Sequence, residues 1–124
     1  MGKFGFSKLT YSESTWPLNK RELTIIPAGR KVICESGGEN GYEYMDHRCA
    51  DGEWRKLESL LAACGFSAWR DEYYQPVLDG VHWHLELRKS DGNVRVFDGM
   101  NDYPDSWESF MTMCDYCAEI SRQS

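Results

Sequence analysis

The segment from Val81 to Arg88, VHWHLELR, alternates strictly between apolar and polar side chains. Strict alternation is the period of a β-strand that has one buried face. The residues predicted to enter the core are Trp83, Leu85 and Leu87. The residues predicted to lie on the opposite face are His82, His84 and Glu86. The apolar face of this strand needs a covering layer, and this requirement constrains the fold more than any other segment does.

Further alternating segments extend this strand into an antiparallel sheet. Ser90 to Asn93 contains the Asp-Gly pair favoured by a tight turn, and Val94 to Phe97 is predicted to return antiparallel. Lys3 to Tyr11 alternates in the same way. The runs from Glu22 to Ile26 and from Lys31 to Cys34 are rich in β-branched residues, and Tyr42 to Cys49 is a further candidate strand. The first third of the chain is therefore predicted to be a meander of strands.

Two segments have the period of a helix. Asp51 to Cys64 places its large apolar residues on one face, with Asp51 as the predicted cap and Gly65 positioned to end the helix. Pro104 suits the first turn of a last helix. We therefore predict a single α+β domain over residues 1–124. Its antiparallel sheet, built from the N-terminal meander and the C-terminal hairpin, packs against two helices in two layers.

The net charge of -6 is unevenly distributed along the chain. Residues 1–35 carry six basic and three acidic groups, whereas residues 36–124 carry eight basic and seventeen acidic groups. An acidic surface repels phosphate and attracts basic surfaces. The charge therefore favours a protein partner with a basic surface over duplex nucleic acid. Nucleic-acid binding through the basic and aromatic residues of the first third is an alternative.

Five cysteines, an odd number without regular spacing, are typical of a reducing compartment. We expect no disulfide bond and a cytoplasmic location. The longest apolar runs, such as Leu60 to Cys64, are far shorter than the roughly 20 residues that span a bilayer. We therefore expect no association with a membrane.

The segment VLDGVHWHLELRKSDGNVRVFDGMNDYPDSWESF contains a recurring pattern of turn, core and helix-start residues. Together with a preceding tryptophan, the pattern consists of Trp69, Asp79-Gly80, Trp83, Leu85-Glu86, Gly92, Gly99, Asn101 and Tyr103-Pro104. In this pattern the chain resembles a loose group of small, mostly uncharacterised bacterial proteins, over roughly residues 54–117. The resemblance implies an α+β fold and no settled activity.

A zinc site is one chemistry that the sequence raises. The Cys114 to Cys117 segment, CDYC, and the pair His82 and His84 supply the ligand types of tetrahedral zinc. The thiols are predicted to lie on the face of the last helix that packs on the sheet, whereas the two imidazoles point to the sheet's other face. We therefore expect buried thiols and no metal or other cofactor. His47 near Cys49 is an alternative pair, although its spacing matches no recognised zinc pattern.

No motif for catalysis is present in the sequence. It contains no phosphate-binding glycine loop, no Gly-x-Ser-x-Gly and no His-Glu-x-x-His. The Cys-x-x-Cys pair is predicted in the second half of its helix, where the helix dipole no longer favours a thiolate. We expect the protein not to be an enzyme. A zinc- or redox-linked protein that uses Cys-x-x-Cys, or a small enzyme of unknown reaction, is the alternative.

Three groups of residues are candidates for binding a partner. Met113, Tyr116 and Ile120 widen the apolar face of the last helix, so this face is a candidate docking surface or homodimer interface. The segment from Trp69 to Tyr74 interleaves acidic and aromatic residues that suit a basic groove. Its candidate residues are Asp71, Glu72, Tyr73 and Tyr74. The third group, on the polar face of the hairpin strand, consists of His82, His84 and Glu86. The alternative is that the apolar members of these groups fill the core.

The composition and the candidate surfaces together favour a non-catalytic protein-binding module. We expect a small acidic inhibitor or regulator of a basic protein that handles nucleic acid. An anti-CRISPR-type inhibitor from a mobile element is one concrete version, and it rests on an analogy of class.

Overall fold

The computed structural model describes residues 5–15, 19–38, 41–75 and 80–122, in which seven strands and two helices form two layers. The strands and helices run, in chain order, β1 Phe6–Thr15, β2 Asn19–Ile26, β3 Lys31–Gly38, β4 Gly41–Arg48, α1 Asp51–Cys64, β5 Glu72–Tyr74, β6 Val81–Lys89, β7 Val94–Met100 and α2 Trp107–Arg122. The predicted α+β class, with an antiparallel sheet packed against two helices, is confirmed. Within the described ranges, no helix has the length and apolar character needed to cross a bilayer.

The strands form a single sheet in the order β4-β3-β2-β1-β6-β7-β5. The first four strands are the predicted meander, and β6 pairs with β7 as the predicted hairpin. The two halves are joined because β1 pairs antiparallel with β6, for example Tyr11 with Leu85. One pair departs from the predicted antiparallel arrangement, since β5 runs parallel to β7.

The alternation along β6 holds in the structure. Trp83, Leu85 and Leu87 are buried, whereas His82 is exposed and His84 is half-buried on the other face. In β1, a register shift between Phe6 and Lys8 allows both Phe6 and Leu9 to reach the core despite their odd separation. The helices cover only the face of the sheet that carries these buried residues.

Helix α1 begins and ends close to the predicted positions. Gly65 terminates it in the left-handed conformation, with a φ of 61°. The cap differs from the prediction, because Ala50 is the capping residue and its backbone N–H donates to the Glu53 carboxylate at 2.9 Å. Asp51 instead pairs with Arg30. The sequence signal for the cap was therefore the glutamate in the first turn and not the aspartate.

Aromatic rings fill the centre of the core between the sheet and α2. Trp69 contacts five other rings, and its indole N–H donates to the Cys64 carbonyl at 3.0 Å and to the Ser106 hydroxyl at 2.8 Å. Trp83 is fully buried and its indole N–H donates to the Asp102 carbonyl at 3.0 Å. Both indole groups therefore bring a large apolar area into the core without leaving an unpaired donor.

Gly99 lies directly under the Trp83 indole on the neighbouring strand β7. A methyl group at this position would overlap the indole ring, which is held by its hydrogen bond. Gly99→Ala is therefore expected to lower the free energy of unfolding by about 1–3 kcal/mol, measured by urea denaturation. The matched control is Gly52→Ala in α1, where an added methyl group meets nothing within 4 Å. The control is expected to be neutral or stabilising by up to about 1 kcal/mol, and equal effects of the two changes would contradict the packing.

Candidate functional site

The face of the sheet away from the helices, which we call the open face, carries polar side chains from every long strand. Cross-strand pairing places residues from all seven strands in rows across it. On β6 this face presents three of the predicted binding residues, namely His82, His84 and Glu86. The structure therefore brings them together with side chains from segments far away in the sequence.

The exposed large apolar side chains of the described residues share this face. They are Tyr42, Tyr44, Tyr74, Val94 and Val96. Their strand partners identify the face, since Tyr44 lies opposite Glu35 and Tyr74 lies beside Met100. Tyrosine presents a rigid apolar ring together with a polar hydroxyl, which is why it is common in binding surfaces. The open face thus has aromatic groups at both edges of the sheet.

One row of paired residues crosses the whole open face. It contains, from β5 to β4, Glu72, Asp98, His84, Ser12, Glu22, Glu35 and Tyr44. We call its four acidic members, Glu72, Asp98, Glu22 and Glu35, the carboxylate row. They come from four different strands, so no local motif in the sequence indicates that they align. Neighbouring strands lie about 4.8 Å apart, and the seven-strand row therefore spans roughly 29 Å.

His84 lies among carboxylates in this row. Its Nδ1 is 2.6 Å from the Asp98 Oδ1, and its Nε2 is 3.7 Å from the Glu86 Oε2. Ser12 is the neighbour of His84 on β1, so the row contains serine, histidine and aspartate side by side. Nε2 of His84 faces Glu86, and the hydrogen bonds of the described residues include none between Ser12 and His84. The arrangement resembles a catalytic triad in residue type but not in geometry.

Glu22 and Glu35 are directly opposite each other on β2 and β3. Partial burial, together with the hydrogen bond and the negative charge of Glu35, raises the pKa of Glu22 above its ordinary value. Like charges opposite each other on a sheet are destabilising unless a proton or a cation lies between them. A pocket of about 210 Å³ adjoins the pair and is lined by Lys20, Glu22, Glu35, Ser36, Gly37 and Tyr42.

Four basic residues of the open face are separated from the carboxylate row along the strands, whereas Lys20 lies one row from Glu22 and its charge opposes the rise in the pKa of Glu22. Lys8 is paired with Arg88, and Lys31 is paired with Arg48, two rows away from the carboxylates. Lys31 also forms an ion pair with Asp46 at 3.3 Å. The open face therefore has an acidic band next to a basic end, and it is not uniformly acidic.

The predicted acidic segment from Trp69 to Tyr74 is only partly a loop. Glu72 to Tyr74 form the edge strand β5, so Glu72 joins the carboxylate row and Tyr74 is exposed. Tyr73 points to the other face and is buried, which removes it as a surface candidate. Asp71 is exposed beside Arg95, at 3.7 Å from its Nε. The two-residue period of β5 thus divides the predicted group between surface and core.

The prediction of a docking surface on the last helix is wrong for two of its three residues. Met113 and Ile120 are buried, since α1 packs on α2 as well as the sheet. Tyr116 is partly buried, with the Lys56 ammonium 4.7 Å from its ring centre. The wide apolar arc is therefore explained by contacts on two sides of the helix. These residues leave no broad apolar surface on α2 for a homodimer.

The predicted separation of thiols and imidazoles holds. Cys114 and Cys117 are buried on the helix side of the sheet, opposite the face that carries His82 and His84. Burial raises the pKa of both thiols well above the ordinary value, and it raises the pKa of Cys64 to about 12. Such groups are neutral thiols near neutral pH, so they are poor nucleophiles and poor redox centres.

A second concavity lies at the end of the helix side, between β2, β3, β4 and the last turns of α2. It has a volume of about 520 Å³, and its lining includes Arg21, Glu43, Asp115, Glu119 and Arg122. Arg21 and Asp115 form an ion pair at 3.3 Å across it. The lining contains five acidic and two basic residues, so the groove has an acidic excess despite this ion pair.

Within the described part of the chain, one group of residues has the spacing of metal ligands. His47, Cys49 and Glu53 place one ligand atom each within 4.8 Å of one another. The backbone N–H of Ala50, followed by His47, lowers the pKa of Glu53, whereas burial raises the pKa of Cys49 to about 11. The sequence indicated His47 and Cys49 as an alternative pair. The third ligand was missed because it lies across a strand-to-helix turn.

A scan of the sequence against protein-family models finds no matching family, and a search of curated proteins finds no match. The resemblance of residues 54–117 to a group of small bacterial proteins therefore stays a prediction. The function is argued below from the geometry and charge of the open face.

Replacing Glu35 with Gln removes the like charge opposite Glu22 and keeps a hydrogen-bond acceptor. A raised pKa in the folded state means that ionised Glu22 destabilises the fold. This loss of stability is absent below the ordinary glutamate pKa, and it grows as the pH rises through the raised pKa. Glu35→Gln is therefore expected to raise the Tm at neutral pH, with no gain below about pH 4. Thermal unfolding followed by circular dichroism measures this.

The matched control for this change is Glu58→Gln on α1. It removes the same charge from the helix layer, away from the open face. A rise in Tm for Glu35→Gln that does not depend on pH, or an equal rise in Tm for both variants, would show that the cross-strand repulsion is not the cause.

Proposed function

We propose that this chain is a non-catalytic protein-binding module that binds a basic protein surface with the open face of its sheet. The observation that supports the proposal most directly is the carboxylate row, in which four acidic side chains from four strands align across one face. The row is fixed on a rigid sheet, so little conformational entropy is lost when a partner binds.

The open face combines the two components of a typical binding surface. Carboxylates attract arginine and lysine side chains over a distance and form charge-assisted hydrogen bonds on contact. Exposed aromatic rings at the edges of the sheet, Tyr42 and Tyr44 on β4 and Tyr74 on β5, are suitable anchors. A basic partner that crosses the strands would contact both kinds of group.

The unfavourable pair Glu22 and Glu35 also favours a basic ligand. A guanidinium or ammonium group placed between the two carboxylates would relieve their repulsion. A bound cation would favour the ionised form of Glu22 and would therefore lower the raised pKa of this residue. The small pocket beside the pair, which Lys20 also lines, is the proposed site for the end of one basic side chain of the partner.

The proposed partner class is a protein that handles nucleic acid, because grooves built for phosphates carry many arginine and lysine residues. A row of carboxylates can occupy such a groove, as a regulator or an inhibitor would. An anti-CRISPR-type inhibitor is one version of this class. Direct binding of duplex DNA is disfavoured, since the carboxylate row would face the phosphate backbone.

The proposal predicts salt-sensitive binding to an arginine-rich peptide, measured by fluorescence anisotropy. The double variant Glu22→Gln/Glu35→Gln is expected to bind about tenfold more weakly than the natural chain, since each exposed charge pair contributes roughly 0.2–1 kcal/mol. A labelled DNA duplex of similar length is expected not to bind under the same conditions.

The control is Glu58→Gln/Glu119→Gln, which changes the net charge equally but lies on the two helices. It is expected to bind within about twofold of the natural chain. An equal loss of affinity in both double variants would show that net charge alone attracts the peptide, and the open face would then have no special role.

A further inference from the structure

The end of β4 and the first turn of α1 bring three potential metal ligands together. His47 lies opposite Val32 and points to the helix side of the sheet, where its side chain is only 11% exposed. Cys49 follows two residues later and is also buried. Glu53 lies in the first turn of α1, and its carboxylate returns toward the strand. A stretch of seven residues thus supplies an imidazole, a thiol and a carboxylate.

The distances among these groups fit a small divalent cation. The His47 Nε2 is 2.8 Å from the Glu53 Oε1, and the Cys49 sulfur completes a group within 4.8 Å. Tetrahedral zinc, with bonds of about 2.0–2.3 Å, separates its ligand atoms by about 3.3–3.7 Å. To bind zinc, the imidazole and the carboxylate therefore need to move apart by less than about 1 Å. The thiol needs to move toward them by a similar distance.

We propose that His47, Cys49 and Glu53 form a zinc-binding site, with water in the fourth position. Zinc binding displaces two protons: the Cys49 thiol proton leaves to solvent, and the Nε2 proton that His47 donates to Glu53 leaves that nitrogen. The neutral imidazole then carries its proton on Nδ1, and the zinc takes the place of the hydrogen bond. The mixed set of imidazole, thiolate and carboxylate ligands suits Zn²⁺ better than Mg²⁺ or Ca²⁺, which prefer oxygen.

Backbone contacts hold two of the ligands in place. The Ala50 N–H donates to the Glu53 Oε1 at 2.9 Å, which orients the carboxylate and leaves it additional lone pairs. The Cys49 N–H donates to the Arg30 carbonyl at 2.8 Å, which fixes the thiol beside the sheet. The site is therefore organised before a metal arrives, which lowers the cost of binding.

This site is distinct from the open face and from the predicted ligand pairs. It uses neither His82 and His84 nor the Cys114 to Cys117 segment. Its ligands join the edge strand β4, which carries Tyr42 and Tyr44, to the start of α1. Bound zinc would cross-link these two elements and stabilise the folded chain.

The test is a titration of the full-length chain with Zn²⁺ and with Co²⁺ in a thiol-free reducing buffer. One metal ion per chain is expected, together with an absorption band from thiolate-to-cobalt charge transfer and a higher Tm with zinc. Cys49→Ser is expected to abolish the band. Glu53→Gln is expected to weaken zinc binding at least about tenfold and to remove the rise in Tm.

Glu53→Gln is the decisive variant, because glutamine can still accept the Ala50 hydrogen bond and keep the helix capped. The matched controls are His82→Ala, an exposed imidazole on the open face, and Cys114→Ser, a thiol of the Cys-x-x-Cys pair. Both are expected to bind zinc like the natural chain. Absence of zinc binding by the natural chain, undiminished binding by Glu53→Gln, or a band that depends on Cys114 would each overturn the proposal.

Discussion

The contact between the Trp83 indole and the Gly99 backbone sets the arrangement of the C-terminal half of the sheet. The indole is fully buried, donates to the Asp102 carbonyl and lies over the one residue of β7 that has no side chain. A slip of one residue would place the indole on the open face and the histidines in the core. The pairing of His84 with Asp98 therefore depends on this contact.

Strand pairing in the N-terminal half of the sheet has a cost on the open face. The pairing of β2 with β3 aligns Glu22 with Glu35, whereas in the C-terminal half His84 lies between Asp98 and Glu86. Folding alone does not require carboxylates to be aligned across strands, since like charges opposite each other destabilise a sheet. A locally unfavourable arrangement of charges on an otherwise stable fold is the pattern expected of a binding surface, because the partner supplies the compensating charge.

Much of the fold could be predicted because the local periods are clear. Strict alternation in Val81 to Arg88 indicated which side chains enter the core, and the helical period of Asp51 to Cys64 gave the bounds of α1. The candidate surface was predicted less well. Tyr73, Met113 and Ile120 are apolar residues whose burial depends on elements that come from elsewhere in the chain. A wide apolar arc on a helix does not distinguish a partner surface from a helix with two packed neighbours.

By itself, the sequence determined which side chains of each strand and helix share a face, since these periods follow from backbone geometry within one segment. Only the tertiary structure decided which strands are neighbours, and so which charges meet. The carboxylate row joins Glu72, Asp98, Glu22 and Glu35 over a separation of 76 residues. The cluster of His47, Cys49 and Glu53 depends on the turn from β4 into α1. In both cases the chemistry arises from the spatial order of elements, which local periods do not encode.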